Sequence, residues 1–182
     1  MLKINSARVQ AVAAAAEPEE LHPHLQAAIE LEHATIPVYL TAFFSIKPGF
    51  MPEISGILKS VFVEEMLHMA VACNILNAIK GIPVLNKPEF IPKYPGPLPM
   101  NISHSLEVHL APLSLEQVKL FMDIEEPDDP LEFPVKAALP EVVPSYATIG
   151  QFYQTLIDKI REMGDGVFQG DPARQVVNTH VD

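Results

Sequence analysis

The sequence predicts an all-α protein, a helical bundle built on one long antiparallel helix hairpin with proline-rich loops around it. Two segments, at about 21–46 and 54–80, carry apolar residues at the spacing of amphipathic helices. The stretch Lys-Pro-Gly-Phe-Met-Pro at 47–52 lies between them and has the composition of a turn. Two long helices with so short a connection are expected to pack side by side.

The composition is that of one acidic globular domain. The 182 residues suffice for a single core, and we expect an N-terminal arm at 1–20 followed by one domain at 21–182. Twelve Lys and Arg against 23 Asp and Glu give a net charge of −11, which argues against nucleic-acid and anionic-membrane partners. The absence of a long apolar run argues against a membrane span. The single cysteine, Cys73, excludes an intrachain disulfide framework and fits a cytoplasmic location.

The second long helix carries ionisable side chains in the middle of its apolar stripe. Glu65 and His68 have the spacing Glu-x-x-His, which places a carboxylate and an imidazole one turn apart on one face. An unpaired buried carboxylate costs several kcal/mol, so such groups are normally paired or bound to metal. Helix bundles hold iron or manganese with this spacing, whereas the simpler interpretation is a core histidine bonded to a glutamate. The stripe consists of Ile54, Ile57, Leu58, Val61, Met69, Ala72, Ile75, Leu76 and Ile79.

The first long helix also carries an ionisable side chain in the middle of its apolar face. Glu32 lies at the centre of its apolar arc, while Glu30 and His33 point to the flank and are expected to be partly exposed. Because each helix places an ionisable group in an apolar stripe, one shared ion explains both better than two separate accidents do. Glu32, Glu65 and His68 are therefore the predicted metal ligands. The arc comprises Leu25, Ala28, Ile29, Ile36, Tyr39, Leu40 and Phe43.

The remainder of the chain is interrupted by prolines. Six of them between residues 83 and 99 exclude a regular helix and predict a long ordered loop. Ser114 is expected to cap a short helix that runs to about Glu125, and Glu125 is a further candidate ligand. The last helix should run from Thr148 to Met163, with Gln151 on the side opposite its apolar stripe.

Four phrases of the sequence carry a resemblance to a known family. They are residues 28–37 (Ala-Ile-Glu-Leu-Glu-His-Ala-Thr-Ile-Pro), 64–69 (Glu-Glu-Met-Leu-His-Met), 94–99 and 148–153. They resemble the ferritin-like domain of the iminophenyl-pyruvate dimer synthases, and the match spans roughly residues 20–175. The resemblance implies a ferritin-like bundle with a dinuclear site of about four carboxylates and two histidines. It also implies a glutamate where Gln151 stands and a further ligand-bearing helix, which the sequence does not contain.

Glu32, Glu65 and His68 make about half of such a site, and three completions are open. A symmetric dimer would supply the other half, a single ion would be completed by water, Glu125 or Glu64, or the bundle is incomplete. These ligands suit iron as the cofactor, with manganese or zinc as alternatives.

The resemblance implies an iron-dependent oxidative enzyme, a non-haem iron oxidoreductase that acts on a small aromatic or amino-acid-derived molecule. The alternative is a metal-free bundle that serves assembly or partner binding, and iron storage fits the proline-rich loops poorly. We also expect a homodimer, because the later helices are too short to cover the apolar stripes of the long hairpin.

Overall fold

The protein is described here by a computed structural model that covers residues 2–126 and 146–177, without the side chains of 103–105 and 146. The helices in these ranges are α1 (Ser6–Ala14), α2 (His22–Phe44), α3 (Pro52–Ala78), α4 (Leu115–Ile124) and α5 (Ile149–Met163). The strands are β1 (Lys3–Asn5), β2 (Gly96–Leu98), β3 (Ile102–Val108) and β4 (Tyr146–Thr148). β1 pairs with β4 and β2 with β3, both antiparallel. The helices dominate, which confirms the all-α prediction.

The two long helices α2 and α3 form the predicted hairpin. Residues 45–51 connect them, and Met51 adopts a left-handed conformation (φ 46°) before Pro52 opens α3. Pro37 lies inside α2 without ending it. Ala28 and Val38 on α2 and Leu76 on α3 are almost completely buried, and the two helices pack along each other. None of the helices in the described ranges is both long and apolar enough to cross a membrane.

The first residues are integrated into the domain, in contrast to the arm expected at 1–20. Lys3 pairs with Thr148 across the β1–β4 ladder, and the side chain of Asn5 caps α1. Ile4 and Val12 are fully buried, and α1 packs against α5. The alanine-rich sequence of α1 has little amphipathic pattern, and β4, the strand that pairs with β1, lies more than a hundred residues further along the chain. A local sequence pattern therefore does not reveal this docking.

The later helices begin close to their predicted starts, α4 after the predicted cap Ser114 and α5 after Thr148. Ser114 accepts a hydrogen bond from the amide of Gln117 at the start of α4. At the start of α5, Thr148 and Gln151 bond reciprocally in a capping box, so Gln151 is an exposed capping residue, as its position predicts. Phe152 and Leu156 bury the opposite face of α5 in the core.

The segment after α5 covers the C-terminal part of α3. The amide of Gly170 donates to the carbonyl of Ala78, and a Cβ atom at Gly170 would lie 1.8 Å from the carbonyl oxygen of Asn77. The side-chain amides of Asn74 and Asn77 donate to the carbonyls of Val176 and Arg174. A side chain larger than hydrogen at position 170 is therefore incompatible with this contact.

The apolar stripe expected on the second long helix is only partly buried. Leu58, Ala72 and Leu76 lie in the core, whereas Ile54 is 40% and Ile57 is 63% exposed. Among the described residues, α2 covers one side of α3 and leaves the adjacent side open, in the direction expected if the later helices are too short to cover the whole stripe.

Candidate metal centre

Three side chains of the hairpin converge near its middle. Glu32 on α2 and Glu65 and His68 on α3 each offer one ligand atom, and these atoms all lie within 4.8 Å of one another. The Nδ1 atom of His68 is 3.5 Å from Oε2 of Glu32 and 3.9 Å from Oε1 of Glu65. The packing of α2 against α3 thus brings together the three residues that the apolar stripes single out.

Glu65 lies in surroundings that disfavour its charge. Its side chain is 12% exposed, and burial is the main cause that raises its pKa to about 7, with the carboxylates of Glu32 and Glu125 adding to the shift. The hydroxyl of Thr35 donates a hydrogen bond to Oε2 of Glu65, and this bond and the nearby His68 oppose the shift. Carboxylates gathered in a largely buried position are stabilised by a cation.

Glu32 is held by a tyrosine of α5, and His68 faces the solvent. The hydroxyl of Tyr153 donates a hydrogen bond to Oε1 of Glu32. Burial first, and the charge of Glu32 second, raise the pKa of Tyr153, so this hydroxyl keeps its proton. The His68 side chain is 60% exposed, and its pKa is raised mainly by the hydrogen bond with Glu32. The group is therefore walled by α2, α3 and α5 and open beside His68.

Glu125, the further candidate ligand, stands next to this group. It is the C-cap residue of α4 and accepts a 2.6 Å hydrogen bond from the hydroxyl of Tyr39. Burial and this bond raise the pKa of Tyr39. Among the described residues, the group within reach of one ion does not include Glu125, although its charge acts on Glu65. Its role as a ligand stays a prediction.

Glu30 and His33 lie on the flank of α2, outside the converging group. Both are half-buried, as predicted. The side-chain amide of Gln26 donates to Glu30, and the ring of His33 stacks on Phe90 with centroids 4.4 Å apart. The second Glu-x-x-His of the sequence is thus directed toward the loop that follows α3.

An apolar cavity of about 320 Å³ opens beside the three converging residues. Glu32, His68 and Tyr153 form its polar end, and the described residues that line it include no Lys or Arg. Its size and lining are typical of sites for small molecules. The apolar lining includes Leu25, Ala28, Val71, Ile75, Leu156 and Ile160.

The donor set fits a divalent transition-metal ion. Bonds from such ions to imidazole nitrogen and carboxylate oxygen are about 2.0–2.2 Å, which places two ligand atoms of one ion about 3–4 Å apart. The separations of His68 from Glu32 and from Glu65, 3.5 and 3.9 Å, agree with this. Two carboxylates and one imidazole suit iron, manganese or zinc.

Sequence reasoning missed two residues that bond to the carboxylates. Thr35 lies one turn after Glu32 on the same side of α2, and Tyr153 sits within the apolar stripe of α5. The sequence feature that could have indicated them is a hydroxyl group on a helix face that is otherwise apolar. A buried hydroxyl needs a hydrogen-bond partner. The partner itself depends on how three separate helices pack.

The protein is a helical bundle with a candidate metal centre, and its similarity to known proteins identifies its family. The family model described as Ferritin-like matches residues 25–181, so the chain belongs to the ferritin-like family. It is similar to the crystal structure of a ferritin-like protein from Caulobacter vibrioides, with a TM-score of 0.61 and 29% sequence identity. The similarity covers 86% of this chain and 59% of the other, so this chain spans about three fifths of that protein's length. No curated protein matches.

Proposed function

We propose that this ferritin-like protein binds iron through Glu32, Glu65 and His68 and oxidises a small molecule in the adjacent cavity. One observation carries the proposal: a group of two largely buried carboxylates and one imidazole opens directly onto an apolar cavity. Bound iron would supply redox chemistry with dioxygen, and manganese or zinc would fit the same donors. The resemblance to the iminophenyl-pyruvate dimer synthases supports an oxidative role.

The chain's own residues hold the site in place. Tyr153 orients the Glu32 carboxylate and Thr35 orients that of Glu65, as groups behind metal ligands commonly do. The bond from Tyr39 keeps Glu125 beside Glu65, where it adds negative charge. These contacts come from three helices and one helix end, so the donor set is positioned before an ion arrives.

The lining of the cavity indicates the chemical class of substrate that it would bind. Its apolar walls favour an aromatic or alkyl group, and the polar end places one substrate atom near His68 and Glu32. Because no Lys or Arg is among the described lining residues, a substrate carboxylate would have His68 as its basic side chain there, and His68 is already bonded to Glu32. A neutral aromatic molecule therefore fits the cavity better than an amino acid does.

Dioxygen uptake tests the proposal. Wild-type protein is loaded with Fe(II) under anaerobic conditions, mixed with aerated buffer and followed with an oxygen electrode, with and without indole as a neutral aromatic probe. His68→Ala is the matched variant, since this exposed side chain contributes little to the core. We expect wild-type uptake to exceed that of the variant by about tenfold or more. Equal rates would favour the alternative, a metal-free bundle for assembly or partner binding.

A further inference from the structure

In the part of the chain that the structure describes, α3 presents a stripe beside the candidate metal centre that is mostly exposed, with Val61 and Ile75 partly buried. Its members follow alternating spacings of three and four residues, which is the period of a helix-pairing seam. Ile57 and Val71 are 63% and 55% exposed, so neither α2 nor the segment after α5 covers this side. The stripe consists of Ile54, Ile57, Val61, Glu64, His68, Val71 and Ile75. A period sustained over six such intervals fits another helix as its occupant.

The stripe reads nearly the same in both directions. Apolar residues occupy its two ends, and the polar pair of Glu64 and His68 lies at the middle. An antiparallel copy of α3 centred on Glu64 would set Ile54 against the partner's Ile75 and Ile57 against the partner's Val71. The same register sets Glu64 against the partner's Glu64 and Val61 against the partner's His68. The apolar ends thus match across a twofold axis, and a second copy of the chain is the occupant that the stripe fits.

The polar pair connects this surface to the metal centre. Glu64 is exposed and lies one turn before His68, whose own side chain is 60% exposed on the open side of the group. Resting on the proposed function, we propose that α3 pairs with α3 of a second copy and that the partner's Glu64 completes the open side of the metal site. Two Glu64 carboxylates near the twofold axis repel each other without a cation, so pairing depends on the bound metal.

Molecular mass with and without metal tests this inference. The wild-type chain is measured by light scattering in Mn(II) and again in EDTA, and metal content is measured on the same samples. We expect a dimer in Mn(II) and a monomer in EDTA. Ile57→Lys should be monomeric in both, whereas Leu115→Lys, a matched change at an 84% exposed position of α4, should behave like wild type.

Glu64→Gln separates the two roles of this residue. The substitution removes the repulsion and weakens the ligand, so we expect a dimer even in EDTA, together with about tenfold or more weaker Mn(II) binding. A variant with Glu64→Cys and Cys73→Ser should form a disulfide-linked dimer on oxidation. Lys59→Cys with Cys73→Ser is the control, since position 59 lies on a different side of α3 and should not cross-link.

The outcomes distinguish this inference from the proposed function. A wild-type monomer that binds Mn(II) fully would overturn the pairing and leave the metal site standing. A dimer that fails to cross-link through position 64, or that Ile57→Lys does not disrupt, would show that another surface associates. Wild-type protein that binds no Mn(II) in any state would contradict the proposed function and the ligand role of Glu64 together.

Discussion

Glu65 is an ionisable side chain in surroundings that disfavour its charge. The charges of two nearby carboxylates oppose its own, and its side chain is largely buried. Among the described residues, the hydroxyl of Thr35 donates a hydrogen bond to it. An apolar side chain at this position would pack without these costs, so the carboxylate is better explained by an ion than by stability. Glu30, on the flank of the same hairpin, is a matched carboxylate without such surroundings.

Glu65→Ala is expected to weaken metal binding by about tenfold or more, because it removes a charged ligand. Glu30→Ala should leave the affinity nearly unchanged, since a half-exposed flank carboxylate acts only through screened charge. Calorimetric titration with Mn(II) measures both. The same affinity in the two variants would remove Glu65 from the site.

The pH dependence of stability should change sign when metal binds. The pKa of Glu65, raised to about 7 from 4.5, means that its stabilising protonated form is fully present below 4.5 and lost as pH rises through about 7. The raised pKa of His68 acts in the same direction: its stabilising charge is present below 6.5 and lost at higher pH. Metal-free protein should thus lose stability from Glu65 between about pH 4.5 and about pH 7, and from His68 as pH rises above 6.5.

An ion must displace the same protons, so the increase in Tm caused by Mn(II) should grow over this interval. Differential scanning fluorimetry at several pH values measures both trends. Glu65→Gln, which keeps the shape of the protonated group, is the control and should flatten the metal-free trend. A metal-induced increase that is constant with pH would argue against binding through Glu65 and His68.

Tyr153→Phe tests the support of Glu32. Losing the hydrogen bond should weaken Mn(II) binding by about tenfold, because the carboxylate becomes free to turn away. Tyr94→Phe is the matched control: its hydroxyl donates to the carbonyl of Ala34, so its loss should affect stability but leave metal affinity unchanged. Equal effects on metal affinity would mean that Tyr153 acts only through the core.

The converging residues were predictable from the sequence because of periodicity. Glu32, Glu65 and His68 interrupt apolar stripes, and the hairpin connection sets the two stripes face to face. Tyr153 and Thr35 were not predictable as partners, since a tyrosine or threonine in a buried face is ordinary. Their roles arise from the packing of α5 on α2 and of α2 on α3, which no local pattern encodes.

At the scale of elements, the N-terminal residues can be tested as part of the domain. Ile4 on β1 is fully buried, so Ile4→Ala should lower the free energy of unfolding by about 2–5 kcal/mol. Leu115→Ala, at a position that is 84% exposed, should change it by less than about 0.5 kcal/mol. Urea denaturation measures both. A negligible effect of Ile4→Ala would restore the interpretation of residues 1–20 as an arm.

Elements with strong end signals were predicted well and those without them were not. Ser114 and Thr148 mark the starts of α4 and α5. A capping side chain and the apolar residues that follow it lie within a few positions of each other, so the sequence alone indicates such a start. The β1–β4 pairing joins residues far apart in sequence, and each strand has three residues. Such short strands carry no detectable alternation.

For the whole molecule, the open side of α3 and the open side of the metal centre are the same region. His68 belongs to both, and Val71 and Ile75 line the cavity as well as the stripe. The sequence predicted that the long hairpin needs more cover than the later helices give, which is the reason to expect a homodimer. Which side of α3 remains uncovered follows only from the packing of α2.

The metal content of the purified protein tests the candidate metal centre most directly. Elemental analysis of protein purified without added metal or chelator, beside the variant with Glu32→Ala, Glu65→Ala and His68→Ala, measures this. We predict about one transition-metal ion per chain in the wild type, mainly iron, and almost none in the triple variant. A wild-type protein that carries no more metal than the folded triple variant would contradict the metal centre.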